Sequence, residues 1–151
     1  MKKLLLIVMA FILTACASAQ ALGSQSEIEQ NQEKWQDAGI SHYQFHLSIS
    51  CFCVFTQDMP LIIEVQDGKV VSMAFQNGTP IDPSLTELFN KYATIDRVFA
   101  ELKAGLNGAA DEVTVKYDPT YGFPIEATID VEKQATDDEL YLTISNFEQL
   151  P

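Results

Sequence analysis

Positive charge is scarce in this 151-residue sequence: nine Lys and Arg stand against 21 Asp and Glu, a formal net charge of −12. A chain this acidic does not fit nucleic acid as a partner, nor flat adsorption on anionic lipid. Cysteine is nearly absent, with only Cys16, Cys51 and Cys53, which rules out a disulfide-dense scaffold. The longest apolar run, Leu4–Leu13, is too short to cross a bilayer as a helix. The phosphate-binding glycine loop, the Ser-centred nucleophile elbow and a Cys-His pair with an orienting partner are all missing. The two histidines, His42 and His46, give little material for acid–base chemistry. These absences point away from an enzyme, and no cofactor is expected.

The N-terminus is the most informative segment. Lys2 and Lys3 form a short positive region, and Leu4 to Leu13 is unbroken apolar sequence. That is the length of a signal-peptide core, too short for a spanning helix. Leu13-Thr14-Ala15-Cys16 follows and resembles the bacterial lipobox. The resemblance implies cleavage after residue 15 and lipidation (diacylation, palmitate-type chains) of Cys16. Two or more chains anchor stably where one does not. Ala17 rather than Asp after the cysteine implies, by analogy with Gram-negative sorting, an outer-membrane lipoprotein facing the periplasm. The expected organisation is a signal peptide over 1–15, a tether over 16–25 and a single domain over 26–151. Loss of Lys2 and Lys3 with the leader moves the charge from −12 to −14, so the domain should stand off the cell membrane.

The rest of the chain alternates helix and strand patterns. Ser26 and Glu29 have capping-box spacing, predicting a helix to Ala38 that stops at Gly39. Tyr43, Phe45, Leu47, Ile49, Cys51, Cys53 and Phe55 alternate with polar residues over most of the run, the period of a half-buried strand. Strands are predicted over Leu61–Val65 and Val70–Phe75. A three-residue loop with a bulge at Gly68 would pair Ile63 with Val71 and Leu61 with Met73. Pro83–Tyr92 reads as a short helix with Ser84 and Glu87 at capping spacing. Thr94 caps a better one, with Ile95, Val98, Phe99, Leu102 and Leu106 on one stripe. Strands follow over Val113–Tyr117, Ile125–Val131 and Leu140–Phe147. The fold class is α+β: a mostly antiparallel sheet of about six strands, with helices on its apolar face, in two helix-plus-three-strand units. The layout is similar to β-lactamase-inhibitor and PepSY-type modules.

Several local motifs together resemble a family of uncharacterised bacterial lipoproteins, a domain of unknown function. They are Trp35, Cys51-Phe52-Cys53, Val65-Gln66-Asp67-Gly68-Lys69-Val70, Thr94-Ile95-Asp96 to Phe99, Tyr117-Asp118-Pro119, Tyr121-Gly122-Phe123-Pro124, Ile129-Asp130 and Asp137-Asp138-Glu139. The resemblance spans roughly Trp35 to Phe147 and implies no activity.

Three constellations could carry chemistry. Cys51 and Cys53 could form a disulfide in an oxidising compartment, remain buried thiols, or serve a redox or metal role. On a regular strand they would lie about 6.6 Å apart, so a bond between them would kink the strand end. His42 and His46 fall on the polar face, about 13 Å apart along a strand, and the cysteines on the apolar face, which opposes a shared zinc site. Asp137-Asp138-Glu139 with Asp130 lacks EF-hand spacing and reads as a solvated loop. The Tyr117–Pro124 segment could either plug the sheet, with Asp118 capping the turn, or present Tyr117, Asp118, Tyr121 and Phe123 as a binding ridge. The leading expectation is a non-enzymatic envelope protein that binds another protein or a peptide. The alternative is a redox or metal-handling lipoprotein using Cys51 and Cys53.

Overall fold

A computed structural model describes residues 25–151. Cys16 and the signal segment lie outside the described residues. The chain runs α1 (Gln25–Asp37), β1 (His42–Ser50), a 3-10 turn (Thr56–Asp58), β2 (Leu61–Gln66), β3 (Lys69–Phe75), α2 (Thr86–Asn90), α3 (Ile95–Ala104), β4 (Glu112–Tyr117), β5 (Pro124–Asp130) and β6 (Glu139–Gln149). The strands form one open antiparallel sheet in the order β3-β2-β1-β6-β5-β4. Each half of the chain builds a three-stranded meander, and the halves join where β1 pairs with β6.

The core lies on one face of this sheet. Along β1, Tyr43, Phe45, Leu47 and Ile49 are buried, while His42, Gln44, His46 and Ser48 are only partly covered. On α3, Ile95, Val98, Phe99 and Leu102 are buried, the stripe that its spacing predicts. Helix formation there starts at Thr94, whose hydroxyl accepts from the Arg97 N–H at 3.2 Å, satisfying one of the free amides of the first turn. The Tyr43 hydroxyl accepts from the next one, the Ile95 N–H, at 3.2 Å. Burial pushes that hydroxyl's pKa up to about 12.

Three local expectations are corrected. The β2–β3 turn has two residues, not three: Asp67 and Gly68 both have positive φ, 52° and 72°, the turn whose twist matches the flanking strands. The extra residue is absorbed inside β3 instead. Glu64 faces Ser72 and Val65 faces Val70, so Val71 bulges out and is 56% exposed. The apolar residues then meet as Ile63 with Met73 and Leu61 with Phe75. The Pro83 helix begins as a 3-10 turn capped by Asp82, which accepts from the Ser84 N–H at 2.8 Å, and the capping spacing of Ser84 and Glu87 is not what starts it. Finally, β1 stops at Ser50 rather than running on through Phe55.

A second bulge shapes β6. Its register with β1 shifts by one residue between Gln44 and His46, at Asn146, whose φ is 49°. Asn tolerates the left-handed region better than most residues. The shift turns Phe147 onto the core face after Leu142 and Ile144, and so builds the aromatic cluster described next.

Candidate functional site

Trp35, on the last turn of α1, is 4% exposed. Its ring meets Tyr43, Phe123 and Phe147 edge-on, with centroids 5.3, 6.0 and 5.8 Å away. Phe123 and Phe147 stack at 4.6 Å, and Tyr121 leans on Phe147 at 5.9 Å. Edge-to-face and offset contacts of this kind are the favoured geometries of aromatic pairs. One helix residue thus ties α1 to β1, to β6 and to the β4–β5 loop.

That loop is the Tyr117–Pro124 segment. Asp118 organises it: one carboxylate oxygen accepts from the Thr120 N–H at 2.9 Å and the Tyr121 N–H at 2.7 Å. The Asp118 N–H donates to the Phe123 carbonyl, and the Gly122 N–H to the Asp118 carbonyl. Gly122 has φ +81°, and a Cβ there would stand 2.5 Å from the Asn31 carbonyl oxygen of α1. Only glycine allows this approach. Lys34 of α1 donates to the Pro119 carbonyl. Phe123 is buried, Tyr121 and Asp118 half-buried. Tyr117 stacks on Phe99 at 6.4 Å, and burial raises the pKa of its hydroxyl well above the ordinary value. Asp118, Tyr121 and Phe123 also line one side of an open hollow of about 380 Å³. Its other side is the bulged stretch of β6 from Ile144 to Phe147.

The helix, the sheet and this loop coincide with a single family match. The model of a family of unknown function (DUF6174) matches residues 27–149. The chain belongs to this family. The match begins in the first turn of α1 and ends on the last residue of β6, so the DUF6174 domain is the whole helix-and-sheet unit. No curated protein and no solved structure matches the chain.

At the other end of β1 the DUF6174 domain carries Cys51 and Cys53, joined by a disulfide with Cα atoms 5.1 Å apart. The chain leaves the sheet at this bond, since β1 ends at Ser50. The Cys53 N–H donates to the Cys51 carbonyl at 2.7 Å, and the Thr56 hydroxyl to the same carbonyl at 3.1 Å. Phe55 returns to the core against Phe89, with centroids 5.0 Å apart. Phe52 and Val54 point outward, 89% and 86% exposed. Strand periodicity marks Phe52 as an outward residue, but it gives no hint that the chain leaves the sheet there.

The histidines do not meet. His42 Nε2 lies 3.0 Å from a Glu64 carboxylate oxygen and Nδ1 lies 2.9 Å from the Pro151 carbonyl. The hydrogen bond to Glu64 and then that to Pro151 raise its pKa above the ordinary histidine value of 6.5. His46 Nδ1 lies 3.2 Å from the Asn146 side chain. Among the described residues no group of three or more His, Cys, Asp or Glu could hold a metal ion. In the acidic loop, Asp138 accepts from the Glu132 N–H and Asp111 from the Lys133 N–H, while Lys133 pairs with Glu112. Burial, then the charges of Asp138, Glu139, Asp111 and Glu112, raises the pKa of Asp130. Asp138, Asp111 and Glu112 thus brace the turn.

Proposed function

We propose that this chain is an exported lipoprotein, held to the membrane through Cys16, whose DUF6174 domain binds an envelope protein or peptide at a surface that does no chemistry of its own. The Leu-Thr-Ala-Cys sequence behind a basic, then apolar leader supports the anchor. The tether up to α1 is small and polar, suited to holding an acidic domain away from the lipid surface. In a Gram-negative host the domain would face the periplasm from the outer membrane.

The observation that carries the binding reading is the hollow between the Asp118 loop and the bulged end of β6. It combines aromatic walls, Phe123, Phe147 and Tyr121, with a polar rim of Asp118, Ser145 and Asn146. Concave sites that mix apolar walls with a few fixed polar groups are the usual form of a ligand surface. The loop is held by its own hydrogen bonds and by α1, so little ordering entropy would oppose binding.

Two measurements test the reading. Intact mass of the protein extracted from membranes should show an acylated N-terminal Cys16. An unmodified residue there removes the anchor. Crosslinked partners captured by the wild-type domain should be lost from Tyr121→Ser. A variant that retains all of them removes the hollow as the binding surface.

A further inference from the structure

Two cysteines separated by one residue cannot be bonded and also continue a strand. A regular strand holds the Cβ atoms of such residues about 6.6 Å apart, whereas a disulfide needs them about 4 Å apart; here the Cα atoms have closed to 5.1 Å. The bond and the strand therefore compete for residues 51–53. The sheet has room for the alternative. Ser50 is the last β1 residue paired with β6, opposite Tyr141. Leu140 and Glu139 pair with Ile129 and Asp130 of β5, but have no β1 partner on their other side. Continued in register, Cys51 would face Leu140 and Phe52 would face Glu139. Breaking the disulfide thus frees a segment that can add ladder pairs denied to the oxidised form. A disulfide whose reduced form is stabilised is the stronger oxidant.

The surroundings supply a docking surface. Both cysteines are partly buried against the edge of the core and partly open to solvent. Phe52 and Val54 bracket Cys53 and are the most exposed of the large apolar side chains among the described residues. Exposed apolar groups beside a reactive bond suit an apolar stretch of another polypeptide.

We infer that the Cys51–Cys53 disulfide is an exchange site that oxidises dithiols carried by apolar polypeptide segments, an activity separate from binding at the Asp118 hollow. A thiolate of the substrate attacks one sulfur of the pair. The S–S bond breaks, its electron pair leaves with the other sulfur as thiolate, and a mixed disulfide forms. The second substrate thiolate attacks the substrate sulfur of that mixed disulfide and expels the remaining cysteine. The substrate ends as a disulfide, and Cys51 and Cys53 end as two thiols, with two electrons transferred. A second exported disulfide would reoxidise the pair.

The test uses the lipid-free full-length mature chain under anaerobic conditions and two reduced synthetic peptides. Each contains Cys-Gly-Gly-Cys, flanked in one by Phe and Leu and in the other by Ser and Gln. The expected result is one equivalent of peptide disulfide per protein, formed at least ~10-fold faster for the apolar peptide. The double variant Phe52→Ser, Val54→Ser keeps both cysteines and should reduce that preference to about one. Cys51 opposite Leu140 would be a non-hydrogen-bonded pair and Phe52 opposite Glu139 the next hydrogen-bonded one, so amide exchange at Phe52 and Glu139 should slow on reduction. A pair that oxidises neither peptide over several hours is a structural crosslink, and the inference fails. Equal rates for the two peptides, or a preference that survives the double variant, overturn the apolar docking. Unchanged or faster exchange at Glu139 overturns the strand extension.

Discussion

The two ends of β1 have almost the same sequence pattern and opposite fates. At the Tyr43 end, the alternating apolar residues enter a cage closed by Trp35, Phe123 and Phe147. At the Cys51 end Cys51, Cys53 and Phe55 still turn toward the core, yet the chain leaves the sheet, and the outward positions between them hold apolar Phe52 and Val54, which lie exposed. The difference comes from a covalent ring at one end and a helix at the other. Alternation specifies which residues could face the core. It does not say whether something covers them or whether a short crosslink turns the chain away first.

Substitutions at each end should separate the two. Trp35→Ala removes the residue that links α1, β1, β6 and the β4–β5 loop. We expect a loss of about 3–5 kcal/mol in urea unfolding, the range for deleting a buried aromatic. A loss below ~1 kcal/mol would mean the cage contributes little. Gly122→Ala places a methyl against the Asn31 carbonyl at positive φ; a cost of roughly 2 kcal/mol is expected, with increased proteolysis of the loop as a second readout.

The next effect depends on pH and reports on the same end. His42 has a raised pKa in the fold, so its bonds to Glu64 and Pro151 favour the protonated ring. The stability they contribute is fully present below the ordinary histidine value of 6.5 and is lost as pH rises through the higher folded value. Denaturation midpoints of wild type and His42→Gln should therefore differ at pH 5.5 and converge at alkaline pH. A gap that widens with pH would reverse the assignment. Smallest of all is Phe52→Ser at the open end, expected to change stability by no more than ~0.5 kcal/mol. A large loss there would show that Phe52 packs against something in the folded protein.

Much of the fold can be read from the sequence. Period two in Tyr43–Ile49, the Thr94 cap and the stripe Ile95-Val98-Phe99-Leu102 each find their place in the sheet or on α3. What escapes are events of one residue. Placing the Val71 and Asn146 bulges requires knowing which strand is the neighbour, because a bulge is a mismatch between two strands. A parity change between Ile144 and Phe147 does signal the second one, once both are taken as core residues. For the candidate site, Asp118 as turn cap is visible as a residue type in a turn context. The meeting of Trp35 with Phe147, and the hollow beside it, depend on long-range packing that no local pattern encodes.

The pairing of β1 with β6 also has a consequence in time. The first and last strands of the domain form the central seam of the sheet, so the middle of the structure is the last part to be supplied by a chain made or threaded from its N-terminus. Until β6 emerges, β1 is an open edge with a fully apolar face, a state prone to pairing with other chains. Folding is then set by the slow closure of a contact about a hundred residues apart rather than by the quick local hairpins. Trimming a few residues from the end of β6 should for that reason harm folding yield far more than trimming the same number from β3.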